Sequence, residues 1–203
     1  MEPEAKSRIV VAAMELFGAK GYQSTSVADI LQRAGANPGS LYAAFESKQG
    51  VLLAVLEAYR RGIGPMLLEP AWGHVSDPVE KVFALLAAYR GLLIHSQCDY
   101  GCPIGSLALE LHEPDPPVRH LLAANFDGWT AAVRDCLRAV PGKDPRDTEA
   151  LAVFVLVVME GAVMLARTHR DIAPFDAAIA QLRHYFTLLG LSGPGPVPER
   201  TLA

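Results

Sequence analysis

The side chains with the most chemistry to offer in this chain of 203 residues cluster between positions 95 and 113, among them the thiols Cys98 and Cys102, the imidazoles His95 and His112, and the carboxylates Glu110 and Glu113. Cys102 stands where a turn over Cys98 to Pro103 gives way to a helix reading on to His112. A thiol at a helix N-terminus feels the positive end of the dipole, which lowers its pKa and favours the thiolate that reacts with oxidants or electrophiles. Cys98, four residues earlier, is spaced to resolve an oxidised Cys102. The alternative for both is a small buried hydrophobe, the commoner condition of a free cysteine. The Cys and His spacing follows no common zinc pattern, so no metal is expected. Glu110 and Glu113 lack a partner pattern for acid–base catalysis. With no Gly-rich phosphate loop or nucleophile elbow, neither an enzyme nor a cofactor is expected.

A second set of polar residues is smaller and closer together. Asn37 precedes Pro38, the favoured order of a helix N-cap and a first helical residue, and the run Gly39-Ser40 follows at once. Leu41 and Phe45, four apart, turn one side of that short helix inward, so its N-terminal face is small, polar and unblocked. Before it, Ile9, Ala12, Ala13, Leu16 and Phe17 mark a first helix over about 3–19. Ser26-Val-Ala-Asp29 carries capping-box chemistry at the start of a second, which ends near Gly35. Ser47 opens a fourth helix with apolar Val51, Leu52, Val55, Leu56 and Tyr59, which the Gly62 and Gly64-Pro65 region is expected to break. Two short helices joined by a glycine turn and flanked by two others are the parts of a helix-turn-helix reader, whose third helix enters the groove.

Further helices are expected from Asp77-Pro78 to about Ser96, on to His112, from the Pro114–Pro117 punctuation to Val140, over about 148–170 and over about 174–189. No β-hairpin signal or internal repeat appears. The fold class expected is therefore all-α. Hydrophobic residues make up 51% of the chain, enough for a sizeable core. The stretch from Ala150 to Ala166 carries Glu160 and is shorter than the ~20 residues of a usual membrane span, so a buried helix and no membrane are expected. Three cysteines are too few for a disulfide scaffold, and no charged segment followed by an apolar one opens the chain, so the expected location is cytoplasmic. Net charge is −4, yet residues 1–61 hold 7 Lys and Arg against 6 acids, leaving 11 against 16 for the rest. The acidity belongs to the C-terminal part.

The run Gly21-Tyr-Gln-Ser-Thr25-Ser-Val-Ala-Asp-Ile30, with Ala34-Gly35, Gly39-Ser-Leu-Tyr42, Phe45 and Ser47-Lys48, resembles TetR/AcrR-type transcriptional regulators over about the first 55 residues. The resemblance implies that Thr25 and Ser26 contact phosphates from the second helix, Tyr42 from the third and Lys48 from the start of the fourth. It places Asn37, Gly39, Ser40 and Ala43 at the base edges, with phosphates setting register and groove contacts setting sequence. The chain departs from the family at Ala44, where a histidine is frequent. The segment Gly101-Cys-Pro-Ile-Gly-Ser-Leu-Ala108-Leu-Glu110 resembles a branch in which some members sense electrophiles or oxidants through the cysteine.

By the same resemblance, residues 1–47 are a DNA-binding domain, 48–65 a connecting helix, 66–191 a ligand-binding and dimerisation domain, and 192–203 a disordered tail. The implied protein is an Ω-shaped homodimer, its last two main helices pairing with their copies in a four-helix bundle, and two-fold symmetry matches a palindromic operator. The partners expected are a double-stranded DNA operator, a second copy of the chain and a small apolar or electrophilic effector that releases the repressor. Tyr89, Leu93, Phe126, Trp129, Phe154 and Met159 are suited to lining an effector cavity or to plain core. The rival from another class is a helical adaptor that does not bind DNA, favoured by the acidic net charge.

Overall fold

The computed structural model describes residues 3–142 and 144–191, and the tail from Ser192 lies outside the described residues. Among them the chain forms helices and no strand: α1 (Pro3–Lys20), α2 (Val27–Ala34), α3 (Pro38–Phe45), α4 (Lys48–Ile63), α5 (Glu69–Trp72), α6 (Pro78–His95), α7 (Pro103–Glu110), α8 (Pro116–Arg138), α9 (Pro145–His169) and α10 (Ala173–Leu188). α1 packs on α2, α3 and α4, and α3 on α4, with Ile9, Ala13, Phe17, Ile30, Leu41, Phe45, Val51 and Leu52 all buried. Each start is fixed by a side chain accepting a free backbone N–H: Ser26 Oγ from Asp29, Asn37 Oδ1 from Ser40 and Ser47 Oγ from Gly50.

The expected break at Gly64-Pro65 does not occur. The backbone passes from α4 through a π-helical segment, Gly64–Leu68, into α5. Pro65 sits at the beginning of that wider turn, where its ring avoids the clash it would have inside a regular α-helix. Trp72 then anchors the segment to α6 by donating Nε1–H to the Lys81 carbonyl at 2.8 Å.

α8, α9 and α10 pack in sequence, with α6 across them, around Phe175, Leu182, Phe186, Val133, Leu137, Val155 and Met159. Asn125 of α8 is buried and ties α8 to α4, its Nδ2 donating to the Leu56 carbonyl at 3.0 Å. α9 is long and apolar enough to cross a bilayer by length and composition alone, but here it packs between α8 and α10. Its outer flank remains apolar and exposed: Val153, Phe154, Val157, Met164 and Leu165, continued on α10 by Tyr185 and Leu188. Phe154 and Tyr185 meet edge to face on that flank, 5.6 Å apart.

Candidate nucleic-acid interface and the cavity behind it

The N-terminal face of α3 stands clear of the rest of the chain. Asn37, Gly39, Tyr42 and Ala43 are exposed and Ser40 half-exposed, while Leu41 and Phe45 of the same two turns are buried. Asn37 Oδ1 is occupied locally, accepting the Ser40 N–H at 2.9 Å and the Ser40 hydroxyl at 3.2 Å. Ser26 is exposed; its oxygen accepts from Asp29 N–H at 3.1 Å, while Asp29 accepts from Ser26 N–H at 2.8 Å. Lys48 lies with Nζ 4.2 Å from the Tyr22 ring centroid, a cation–π contact that fixes it at the start of α4, and partial burial lowers its pKa.

Two side chains sit otherwise than the sequence led us to expect. Thr25 was expected to offer its hydroxyl to a phosphate, but its side chain is only 1% exposed and donates to the Gly21 carbonyl at 2.7 Å. It braces the α1–α2 turn from inside. Cys102 was expected to be an activated thiolate resolved by Cys98. It does cap α7, with Sγ accepting from Gly105 N–H at 3.5 Å, yet burial and the neighbouring Glu160 carboxylate push its thiol well above the ordinary range. Cys98 is also buried. Desolvation and a like charge work against the helix dipole at this thiol, the condition of a small buried hydrophobe rather than of an activated thiolate.

Gly50, which sequence reasoning passed over, sets the angle between α3 and α4: a Cβ there would stand 1.8 Å from the Phe45 carbonyl oxygen. Glu110 was likewise set aside as having no catalytic pattern. It closes α7, and its carboxylate accepts from the Tyr22 N–H at 2.8 Å and the Gln23 N–H at 2.6 Å. Those amides belong to the α1–α2 turn, so α7 touches the reader directly. Gln49 makes a second tie, donating to Asp115 before α8 at 2.8 Å.

The other end of α7 faces a cavity of about 240 Å³, open on one side and lined by α4, the π-helical segment after it, α6, α7, α8 and α9. Of the six aromatic or flexible residues nominated for such a cavity, Tyr89, Phe126 and Trp129 line it. Leu93 and Met159 are core, and Phe154 is on the outer flank. Glu160 of α9 lines it too, its carboxyl resting against Gly105: a Cβ at that position would meet Oε2 at 2.3 Å. One eight-residue helix therefore joins a cavity at Cys102 and Ile104 to the reader at Glu110.

An exposed, small-residue recognition helix braced by a capped α2 defines a helix-turn-helix DNA-binding regulator. Residues 9–55 match the model for bacterial regulatory proteins of the tetR family, and residues 78–181 match the C-terminal domain of LmrA/YxaF-like transcriptional regulators. The chain is 33% identical over 187 residues to the HTH-type transcriptional regulator Rv0196 of Mycobacterium tuberculosis, covering 88% of this chain and 92% of that one. It is 28% identical to the HTH-type transcriptional repressor BdcR of Escherichia coli, covering 87% and 86% of the two. A TetR transcriptional regulator from Chloroflexus aurantiacus has the same fold, with a TM-score of 0.76 and 28% identity over 91% of this chain and 94% of that one. The chain belongs to the TetR family of transcriptional regulators, whose members bind DNA and act as dimers; its relatives are regulators, not enzymes.

Proposed function

We propose that this protein is a ligand-released repressor that binds a palindromic operator as a homodimer. The observation that carries the reading is the free N-terminal face of α3, held in place by buried residues on its opposite side. In this reading Asn37, Gly39, Ser40 and Ala43 face base edges, while Ser26, Tyr42 and Lys48 bind phosphates. The apolar flank of α9 and α10 is covered by the same flank of a second copy, giving the two-fold axis that a palindrome requires.

Release follows from the path through α7. A ligand filling the cavity displaces the Cys102 end of that rigid helix, and Glu110 transmits the movement to the Tyr22 and Gln23 amides. The spacing of the two recognition helices then no longer fits successive half-sites.

Salt dependence of DNA affinity, with sedimentation of the free protein, tests the reading. A sedimenting dimer whose affinity falls steeply with salt is the expected result. A monomer, or an interaction indifferent to salt, would favour the helical adaptor instead.

A further inference from the structure

One acid in the C-terminal domain has no counterpart. Glu160 Oε1 is shut off from solvent and makes no hydrogen bond, and among the described residues no Lys or Arg pairs with the carboxyl. The arginine farther along the same helix, Arg167, is engaged with Ser106 Oγ at 3.4 Å instead. The Cys102 thiol, a weak donor, bonds the carboxyl, and the buried Tyr89 lies near enough to feel its charge. An apolar core residue would suit this position better if nothing ever bound there, because an unpaired buried carboxylate is among the costliest groups a fold can carry.

The surroundings describe the missing partner. Tyr59, Tyr89, Phe126 and Trp129 wall the same cavity, and aromatic faces attract a cation through their ring quadrupoles. Trp129 is 3% exposed and lies beside Tyr89, their ring centroids 6.4 Å apart, so the two rings form one aromatic wall. The remaining lining is aliphatic, from Ile63, Leu67, Ile104 and Leu156. At about 240 Å³ the space suits a molecule of one or two rings.

We infer that the cavity binds a small lipophilic organic cation, an aromatic or alicyclic amine whose ammonium pairs with Glu160 and whose ring system stacks among Tyr59, Tyr89 and Trp129. Neutral or anionic molecules of the same shape leave Glu160 unpaired or repel it. This inference rests on reading the chain as an effector-controlled regulator and supplies the chemical class of that effector.

Calorimetric titration of the full-length protein with 1-naphthylmethylamine, 1-naphthylmethanol and 1-naphthoate tests it, since the three share a ring and differ in charge. The amine is expected to bind at least about tenfold more tightly than the alcohol, with the acid weakest. Glu160→Gln, which keeps the side chain's size, is expected to bring amine and alcohol within about threefold of each other. Equal binding of amine and alcohol by the parent, preference for the acid, no binding of any probe, or a preference that survives Glu160→Gln would each overturn the inference. The three-probe comparison on the parent decides the matter even if Glu160→Gln does not fold. DNA binding by the same preparation is measured separately: amine selectivity without DNA binding would remove the repressor reading alone, and DNA binding without selectivity would remove this inference alone.

Discussion

The reader and the cavity treat their polar groups in opposite ways. In α1–α3, Ser26, Thr25, Asn37 and Asp29 are engaged within nine residues of their own position, closing caps and turns. In the C-terminal domain, the polar groups that matter come from distant parts of the chain: Glu160 lies against Gly105, and Glu110 holds amides 88 and 87 residues away. One of the cavity's polar atoms, Glu160 Oε1, remains unpartnered. A surface that must present one fixed shape to DNA is finished by local bonds, whereas a site that must respond keeps groups unsatisfied until its ligand arrives.

Substitutions that exchange these two conditions have the largest effects. Gly50→Val drives a side chain into the Phe45 carbonyl and is expected to cost about 3 kcal/mol, lowering the melting temperature by roughly 6–12 °C and abolishing DNA capture. A thermal melt within a degree of the parent would show that the α3–α4 joint is looser than its geometry implies. Next is Glu110→Ala, which removes two charge-assisted bonds between α7 and the reader, worth about 1.5–3 kcal/mol each at most. Its expected signature is DNA binding that responds less to cavity ligands than the parent's does, read by competition titration. An undiminished response would move the coupling to the Gln49–Asp115 contact.

Smaller effects separate contact from support within the reader. Tyr42→Phe and Lys48→Ala should weaken binding to all DNA sequences alike, with Lys48→Ala reducing the slope of log affinity against log salt by about 1. Thr25→Val should lower stability by about 1 kcal/mol and leave that slope unchanged, because its hydroxyl serves the Gly21 carbonyl. A changed slope in Thr25→Val would restore it as a phosphate ligand. Smallest is the acid response of the α2 cap. Bonds from Lys20 and from the Ser26 N–H and hydroxyl hold Asp29 down to about 2 from 3.8. Because the folded pKa is depressed, the cap's contribution is present above about pH 4 and is lost as pH falls through about 2. Asp29→Asn should flatten the acid limb of a pH–melting curve over that window.

Legibility follows the same division. Helices α1 to α4 were readable because apolar spacing, Ser26, Asn37 with Pro38, and Ser47 are all local signals. The continuation past Pro65 was not, since a π-turn that relieves a proline has no residue signature of its own. Thr25 reads as a surface hydroxyl until the α1–α2 turn closes over it. Cys102 shows its helix position in sequence but not its burial against an acid 58 residues away. The one signal that could have found Glu160 was its isolation in the long apolar run of α9, where a lone acid needs a reason.

Selection of sites from a random double-stranded DNA pool by the purified full-length protein, at moderate salt, tests the central claim most directly. Enrichment of a palindrome, with half-sites about one helical turn apart and a preference that Ser40 substitutions alter, is the predicted result. No enrichment at low or moderate salt, or enrichment of a non-palindromic site indifferent to changes at Ser40, would contradict it.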